Sequence, residues 1–361
     1  MTTEEARYTI PPVLDPSGTW SLPGELGVER EVAADTSRDV DDRLEALENI
    51  FDSEIGDTNL VRSRNVEREV GIRQLYIKFE GGNATGTQKD RIAFAQASDA
   101  LRRGFDTLTA ATCGNYGVAV ALAAHCAGLR CSIYVPLDYH TRRITEMEGL
   151  GATIVREGRD YERAVEASRR FAETAEVYDA NPGGANTALQ LKAYGEIAYE
   201  IYDQLRDAPA TVAVPVSNGT TLAGIHRGFV SLYRRGKTSR VPRMIAGSSY
   251  GKNPIVQSFR KGSATCEDLD PSSIKETETN EPLINWHSSD GDQALDAIRS
   301  TEGLAAYASD KRMRELSRLL REKEGLATLP ASTAGLIALI DLHKTTPLGN
   351  DRHVAVLTGR K

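Results

Sequence analysis

Cysteine, tryptophan and methionine are scarce in this chain, at four, two and four residues in 361, and no apolar run is long. The cysteines, Cys113, Cys126, Cys131 and Cys266, form no C-x-x-C pair and have no histidine at zinc spacing, so neither a metal site nor a disulfide framework is expected. Reduced thiols in a cytoplasmic protein are the simplest reading. No stretch approaches the length of a membrane span, and Glu4 and Glu5 stand where a secretory leader would carry a basic head. A formal charge of −7 tells against a nucleic-acid partner, which needs clustered lysine and arginine to meet phosphates.

What is present is enough apolar residue, 40%, to bury one large or two moderate cores, and the length predicts two domains. Residues 1–50 are polar, punctuated by proline and glycine and then heavily charged, which predicts an N-terminal extension outside the core. Beyond it, short apolar runs predict strands over 75–79, 107–110, 131–136, 152–155, 211–215 and 354–357. Helices are expected over 92–103, 118–127, 161–174, 188–205, 225–235, 311–324 and 331–343. This alternation implies βα units and mainly parallel sheets, an α/β protein. The charged, serine-rich segment 268–280 reads as a surface loop.

Three strand-to-helix junctions carry the chemistry. At the first, a Gly-rich turn after Lys78-Phe79-Glu80 ends in Asn83-Ala84-Thr85-Gly86-Thr87-Gln88-Lys89-Asp90-Arg91, with Lys89 at a helix entrance. The positive end of a helix and partial burial both disfavour an ammonium, so the free amine becomes available to condense with an aldehyde. At the second, Ala111-Thr112-Cys113-Gly114-Asn115-Tyr116-Gly117 opens a small-residue helix where backbone N–H groups collect and attract an anion. At the third, Ser217-Asn218-Gly219-Thr220-Thr221 after Pro215-Val216 offers N–H groups and hydroxyls to a phosphate without lysine or arginine. Thr358, after the last strand, lies where ligands of open parallel sheets are found.

These segments resemble the threonine synthase branch of the tryptophan synthase beta-like enzymes, the fold type II family dependent on pyridoxal 5′-phosphate (PLP). The first is similar to the cofactor-lysine motif N-P-T-G-S-F-K-D-R, matching at Asn83, Thr85, Gly86, Lys89, Asp90 and Arg91 and departing at Ala84, Thr87 and Gln88. The resemblance makes Lys89 the catalytic, Schiff-base lysine. It assigns Asn115 to the PLP ring, Thr358 to its nitrogen, and Ser217, Asn218, Gly219, Thr220 and Thr221 to its phosphate. Thr85, Thr112, Cys113, Gly114, Asn115 and Tyr116 fall to the substrate. Glu324-Gly325-Leu326-Ala327-Thr328-Leu329-Pro330-Ala331-Ser332 resembles a further family segment whose glutamate is Leu329 here, and the usual T-G-H-G-L-K tail is cut to Thr358-Gly359-Arg360-Lys361. The fold implies two domains with parallel sheets flanked by helices, a large one over 51–95 and 181–361 and a small one over 96–180, assembled as a homodimer.

The implied activity is elimination or replacement on an amino acid. The alternatives are β-replacement on a serine derivative, as in cysteine or cysteate synthases, and a serine/threonine ammonia-lyase. A non-catalytic binder of the same fold is disfavoured by the retained lysine. One departure bears on the substrate: the family's N-S-x-N-P-x-R segment, which helps hold a substrate phosphate, corresponds to Tyr178-Asp179-Ala180-Asn181-Pro182-Gly183-Gly184. Asp179 is expected to repel such a phosphate by roughly 1 to 4 kcal/mol at ~4 Å. Lys192, Lys252 and Arg142 are the cations that would offset it.

Overall fold

The computed structural model describes residues 24–112, 114–139, 143–174 and 177–361. Ten strands run in chain order: β1 (Leu60–Arg62), β2 (Leu75–Phe79), β3 (Thr107–Ala111), β4 (Arg130–Val135), β5 (Thr153–Arg156), β6 (Tyr178–Asp179), β7 (Thr211–Pro215), β8 (Arg243–Ser249), β9 (Leu304–Ala308) and β10 (His353–Leu357). Six form one sheet in the order β1-β2-β10-β7-β8-β9, parallel except for β1, which pairs antiparallel to β2. The other four form a parallel sheet, β5-β4-β3-β6. The chain leaves the larger sheet after β2, builds the smaller one, and returns at β7.

The last strand to be made lies in the middle of the larger sheet. All five residues of β10 are buried, as are those of β7 beside it, which is why both read as unbroken apolar runs rather than alternating ones. Helix Ala334–Thr345 packs on β7 and β8 so closely that a Cβ on Gly247 would lie 1.9 Å from the Ala334 carbonyl oxygen. Strands β8 and β9 escape a search for apolar runs because small residues dominate them, Gly247, Ser248 and Ser249 in one and three alanines in the other.

The expectation of an extension over 1–50 is corrected for residues 24–50. Helices Gly24–Ala34 and Val40–Glu54 form there, and the second buries Leu44, Ala46, Leu47 and Ile50 in the main core. Those residues recur at helical spacing beneath a charged outer face, so a high charge count concealed an amphipathic stripe. Segment 268–280 is mostly exposed, but it also supplies Pro271, Ile274 and Glu276 to the wall of the central cavity.

Candidate active site

Strand β2 ends in a 3₁₀ turn, Glu80–Gly82, and the loop that follows is held by a buried charge network. The Arg91 guanidinium donates to both Glu80 oxygens (2.7 and 3.0 Å) and both Glu200 oxygens (2.6 and 2.9 Å). Lys78 Nζ joins at 2.5 Å from Glu200. Two cations thus meet two carboxylates, which satisfies charges that would be costly to bury alone. Thr85 donates from its N–H and hydroxyl to the two Asp90 oxygens, at 2.7 and 2.6 Å, fixing the entrance of helix Lys89–Arg102. Thr85 is therefore spent inside the loop and does not line the cavity, contrary to its expected place at the substrate.

Residues 358–360 secure this loop. Arg360 N–H donates to Gly86 O at 2.9 Å, its guanidinium reaches Gly81 O and Ala84 O at 3.3 and 3.2 Å, and Gln88 N–H donates to Thr358 O at 3.0 Å.

Lys89 opens onto a cavity of about 560 Å³ at the carboxyl ends of both sheets. Burial lowers its ammonium pKa to about 8, against the pull of the Asp290 carboxylate, so about a tenth of the amine is already neutral at pH 7, far more than for an ordinary lysine. Its Nζ stands 5.6 Å from the centre of the Tyr116 ring. The Tyr116 hydroxyl is engaged elsewhere, accepting from Gln96 Nε2 at 2.7 Å and donating to Ala180 O. Tyr116 therefore presents a ring to the cavity, and its phenol cannot join the carboxylate cradle.

Helix Asn115–Ala127 begins at the cavity with Asn115 in its lining. Thr112 Oγ1 accepts from Gly114 N–H at 3.2 Å and Gly117 N–H at 3.1 Å. The Gly114 N–H is thus occupied, and Gly114 does not line the cavity. The Asn115 and Tyr116 N–H groups, in the first helical turn, have no intrahelical acceptor, and the Thr112 hydroxyl keeps its own hydrogen to donate. Cys113 lies outside the described residues.

Ser217, Asn218, Gly219, Thr220 and Thr221 all line the opposite wall, where helix Thr220–Arg234 begins. The carbonyl groups of this loop are tied back. Ser217 O accepts from Asn253 Nδ2 (3.0 Å) and Ser288 Oγ (3.1 Å), and Asn218 O from Asp290 N–H (3.0 Å). Gly219 has φ +94°, and a Cβ there would lie 2.8 Å from Asp290 O, so only glycine makes the turn without displacing the loop. With carbonyls tied and a helix starting, the loop is left rich in N–H donors, the chemistry an anion needs.

Thr358 also lines the cavity, its hydroxyl 3.2 Å from that of Ser332. Ser332 was part of a recognised segment but not singled out as a site residue, and Asp290, Glu281 and Trp286 gave no signal beyond ordinary loop composition. Glu281 accepts from the Tyr139 hydroxyl at 3.0 Å and, with Glu276, Asp138, Asp160 and Glu162, makes the outer cavity acidic. Among the described lining residues only Lys89 and Arg159 are basic.

The expected repulsion by Asp179 is corrected. Its carboxylate accepts from Asn181 N–H and Nδ2 at 2.9 and 2.6 Å and pairs with Arg169 at 3.7 Å, so it faces its own turn and does not line the cavity. Gly184 is exposed with open space around it. Lys192 and Lys252 lie off the cavity, and Arg142 falls outside the described residues.

No group of histidine, cysteine, aspartate and glutamate suited to a metal ion occurs among the described residues, and no described helix is long and apolar enough to cross a membrane. A weakly basic lysine, an N–H-rich loop and a hydroxyl pair around one cavity suit an aldehyde that carries a phosphate and a ring nitrogen. The chain is 29% identical to the threonine synthase of Methanocaldococcus jannaschii over 84% of its own length and 74% of that protein. It is 28% identical to the threonine synthase of a Bacillus species over 84% and 82% of the two chains. Among solved structures, maize serine racemase superposes with a TM-score of 0.73 at 18% identity, covering 88% of this chain and 92% of that one. A threonine deaminase from Solanum lycopersicum gives 0.71 at 18% identity, covering 89% and 90%. These likenesses establish the fold as that of the type II PLP enzymes. Residues 51–359 match the model of the pyridoxal-phosphate dependent enzyme family, and the chain belongs to that family.

Proposed function

We propose that this enzyme carries out elimination or replacement on the side chain of an α-amino acid, as a threonine synthase-like lyase. The observation that carries the proposal is Lys89, an amine of lowered basicity at the mouth of a helix, facing two further helix starts across one cavity. Lys89 would hold the cofactor covalently, residues 217–221 its phosphate, Asn115 its ring and Thr358 its nitrogen. When bound, PLP supplies the electron withdrawal that makes the substrate Cα–H acidic.

The chain's own residues do the rest. The Asn115 and Tyr116 N–H groups and the Thr112 hydroxyl orient the substrate carboxylate. Lys89 Nζ, once released by the incoming amino group, takes the Cα proton as a neutral amine. The Thr358 and Ser332 hydroxyls do not stabilise a charged ring nitrogen as a carboxylate would, which favours loss of a side-chain group over transamination. The Tyr116 ring and residues of the 271–286 segment line the cavity.

The acidic outer cavity favours a second reading of the substrate, an uncharged or cationic side chain such as that of serine, threonine or an O-acylated serine, handled by β-replacement or deamination. Besides Lys89, the described lining offers no counter-cation but Arg159, which sits 3.3 Å from Asp160. We read the enzyme as a cytoplasmic homodimer with domains over 51–95 with 181–361 and over 96–180, consistent with buried free thiols at Cys126 and Cys131. Incubation with O-phosphohomoserine, O-phosphoserine, O-acetylserine, serine and threonine, with and without candidate nucleophiles, tests the proposal by product analysis. Release of phosphate with threonine marks a synthase, a 2-oxo acid with ammonia a deaminase, and no turnover of any of them a mere binder.

A further inference from the structure

Directly behind the residues read as the phosphate loop lies a carboxylate with no evident business there. Asp290 is fully buried. The Thr220 hydroxyl donates to its Oδ2, and its N–H is fixed to Asn218 O at 3.0 Å, so one hydroxyl separates the carboxylate from the loop. No hydrogen-bond donor reaches Oδ1 among the described residues. A buried carboxylate oxygen without a donor is costly when charged and much less so when the group is neutral.

The charges that face Asp290 from neighbouring elements are Lys89, from helix Lys89–Arg102, and Arg169, from helix Tyr161–Thr174, and both favour its ionised form. Burial outweighs them and raises its pKa. Loading PLP changes that balance in one direction only. A phosphate held by the loop would add negative charge on the other side of Thr220 and disfavour a second one on Asp290.

We propose that Asp290 is a positioning residue that takes up one proton when the phosphate loop fills, reversing its hydrogen bond with Thr220 so that the Thr220 hydroxyl turns to the phosphate. The inference rests on the reading of residues 217–221 as the phosphate site. The proton comes from solvent and ends on Oδ2, which then donates to Thr220 Oγ1, and the Thr220 hydrogen is freed to donate to a phosphate oxygen. One proton is gained at Asp290, and the condensation of Lys89 with the aldehyde, which releases water, occurs with pyridoxal as well and so is common to both probes.

The test measures PLP affinity of the full-length protein, resolved from cofactor and retitrated by the visible spectrum, between about pH 6 and pH 9, with pyridoxal as the probe lacking phosphate. For one proton taken up, the affinity ratio of wild type to Asp290→Asn falls about tenfold per pH unit once Asp290 is ionised in the free protein. The variant, neutral at every pH, therefore binds PLP more tightly than wild type at alkaline pH and similarly at acid pH. Calorimetric titration of wild type with PLP and with pyridoxal, each in two buffers of different ionisation enthalpy, gives the phosphate-dependent proton count without any substitution, and a melting curve shows whether the variant is folded. Parallel pH profiles for wild type and variant, or no phosphate-dependent proton uptake, would overturn the role of Asp290. Equal affinity for PLP and pyridoxal would instead overturn the phosphate-loop reading beneath it.

Discussion

Lys89 and Tyr116 stand as amine and ring, with Nζ 5.6 Å from the ring centre and the phenol hydroxyl turned back to Gln96 and Ala180. The helix that presents one and the helix that presents the other both begin at the cavity. The pairing leaves the amine without a strong anchor, so its state follows burial and the Asp290 charge.

Lys89 is accordingly expected to take the cofactor in its neutral form. Borohydride reduction of the yellow protein should fix a pyridoxyl mass on Lys89 alone. The rate at which resolved protein recaptures PLP should rise with pH and level off above about 8, because the reactive free base is the form present above the amine's lowered pKa. Lys89→Ala should abolish turnover and leave a folded protein. A label on another lysine, read by peptide mass, would reassign the anchor.

Tyr116→Phe separates a structural hydroxyl from a substrate contact. Removing it leaves the Ala180 carbonyl without its donor, at a cost to stability of about 1 to 3 kcal/mol. Denaturant unfolding measures that loss. KM for the amino-acid substrate should stay within about twofold, since the hydroxyl does not face the cavity, and a rise well beyond that would return the Tyr116 hydroxyl to the carboxylate cradle.

Thr358→Asp tests the ring-nitrogen contact. A carboxylate in that place favours a protonated nitrogen, so product analysis should show a larger share of transamination and less side-chain elimination. An unchanged product ratio would mean that Thr358, paired with Ser332, faces something other than the ring.

The charge network behind the lysine predicts an acid limit to stability. Burial alone would raise the Glu200 carboxyl, but Arg91 and Lys78 outweigh it and hold the pKa at about 2, below an ordinary value of 4.5. A depressed folded-state pKa stabilises above the unfolded value and loses that contribution as pH falls through the folded one. The network's contribution should thus be whole above about pH 4.5 and fade toward pH 2. Glu200→Gln leaves Arg91 and Lys78 short of a counter-charge and should cost about 3 to 5 kcal/mol, measured by denaturant unfolding at neutral pH.

How much of this was legible beforehand depended on whether the signal was local. The junctions at Lys89, Asn115 and Ser217 were visible because strand, small-residue turn and helix follow one another in sequence, and the chemistry sits at the helix start. Thr85, Gly114 and Tyr116 shared those motifs, yet their polar atoms are claimed by Asp90, Thr112, Gln96 and Ala180. A motif says which residues are near the ligand and not which still have a free hydrogen bond. Asp290 and Glu281 were invisible for the opposite reason. Each comes from a loop with no pattern and reaches the site only because β7, β8 and β10 stack side by side. Asp179 misled because alignment to a pattern places a residue along the chain, while two neighbouring turns decide where its carboxylate points.

The acidic outer cavity gives the sharpest expectation about substrate. Glu281 is raised to about 7 by burial, with the Tyr139 hydroxyl opposing and Glu276 reinforcing the shift. Below that pH the group is neutral, and above it the wall gains a negative charge that a phosphorylated side chain must approach. At ~4 Å such a pair costs roughly 1 to 4 kcal/mol between the water and surface limits, so about fivefold or more in kcat/KM, at ~1.4 kcal/mol per factor of ten. The ratio of kcat/KM for O-phosphoserine to that for serine should therefore fall as pH rises from about 6 to about 8. Because the phosphate itself ionises near pH ~6, the informative quantity is the same ratio in Glu281→Gln, where the wall stays neutral and the decline should be shallower by about fivefold or more. The variant keeps the hydrogen bond from Tyr139 through its amide oxygen, so the segment that carries it should stay in place. Equal declines in both proteins would show that Glu281 does not face the side chain of the substrate, and a wild-type preference for O-phosphoserine at pH 8 would show that a cation reaches the cavity after all.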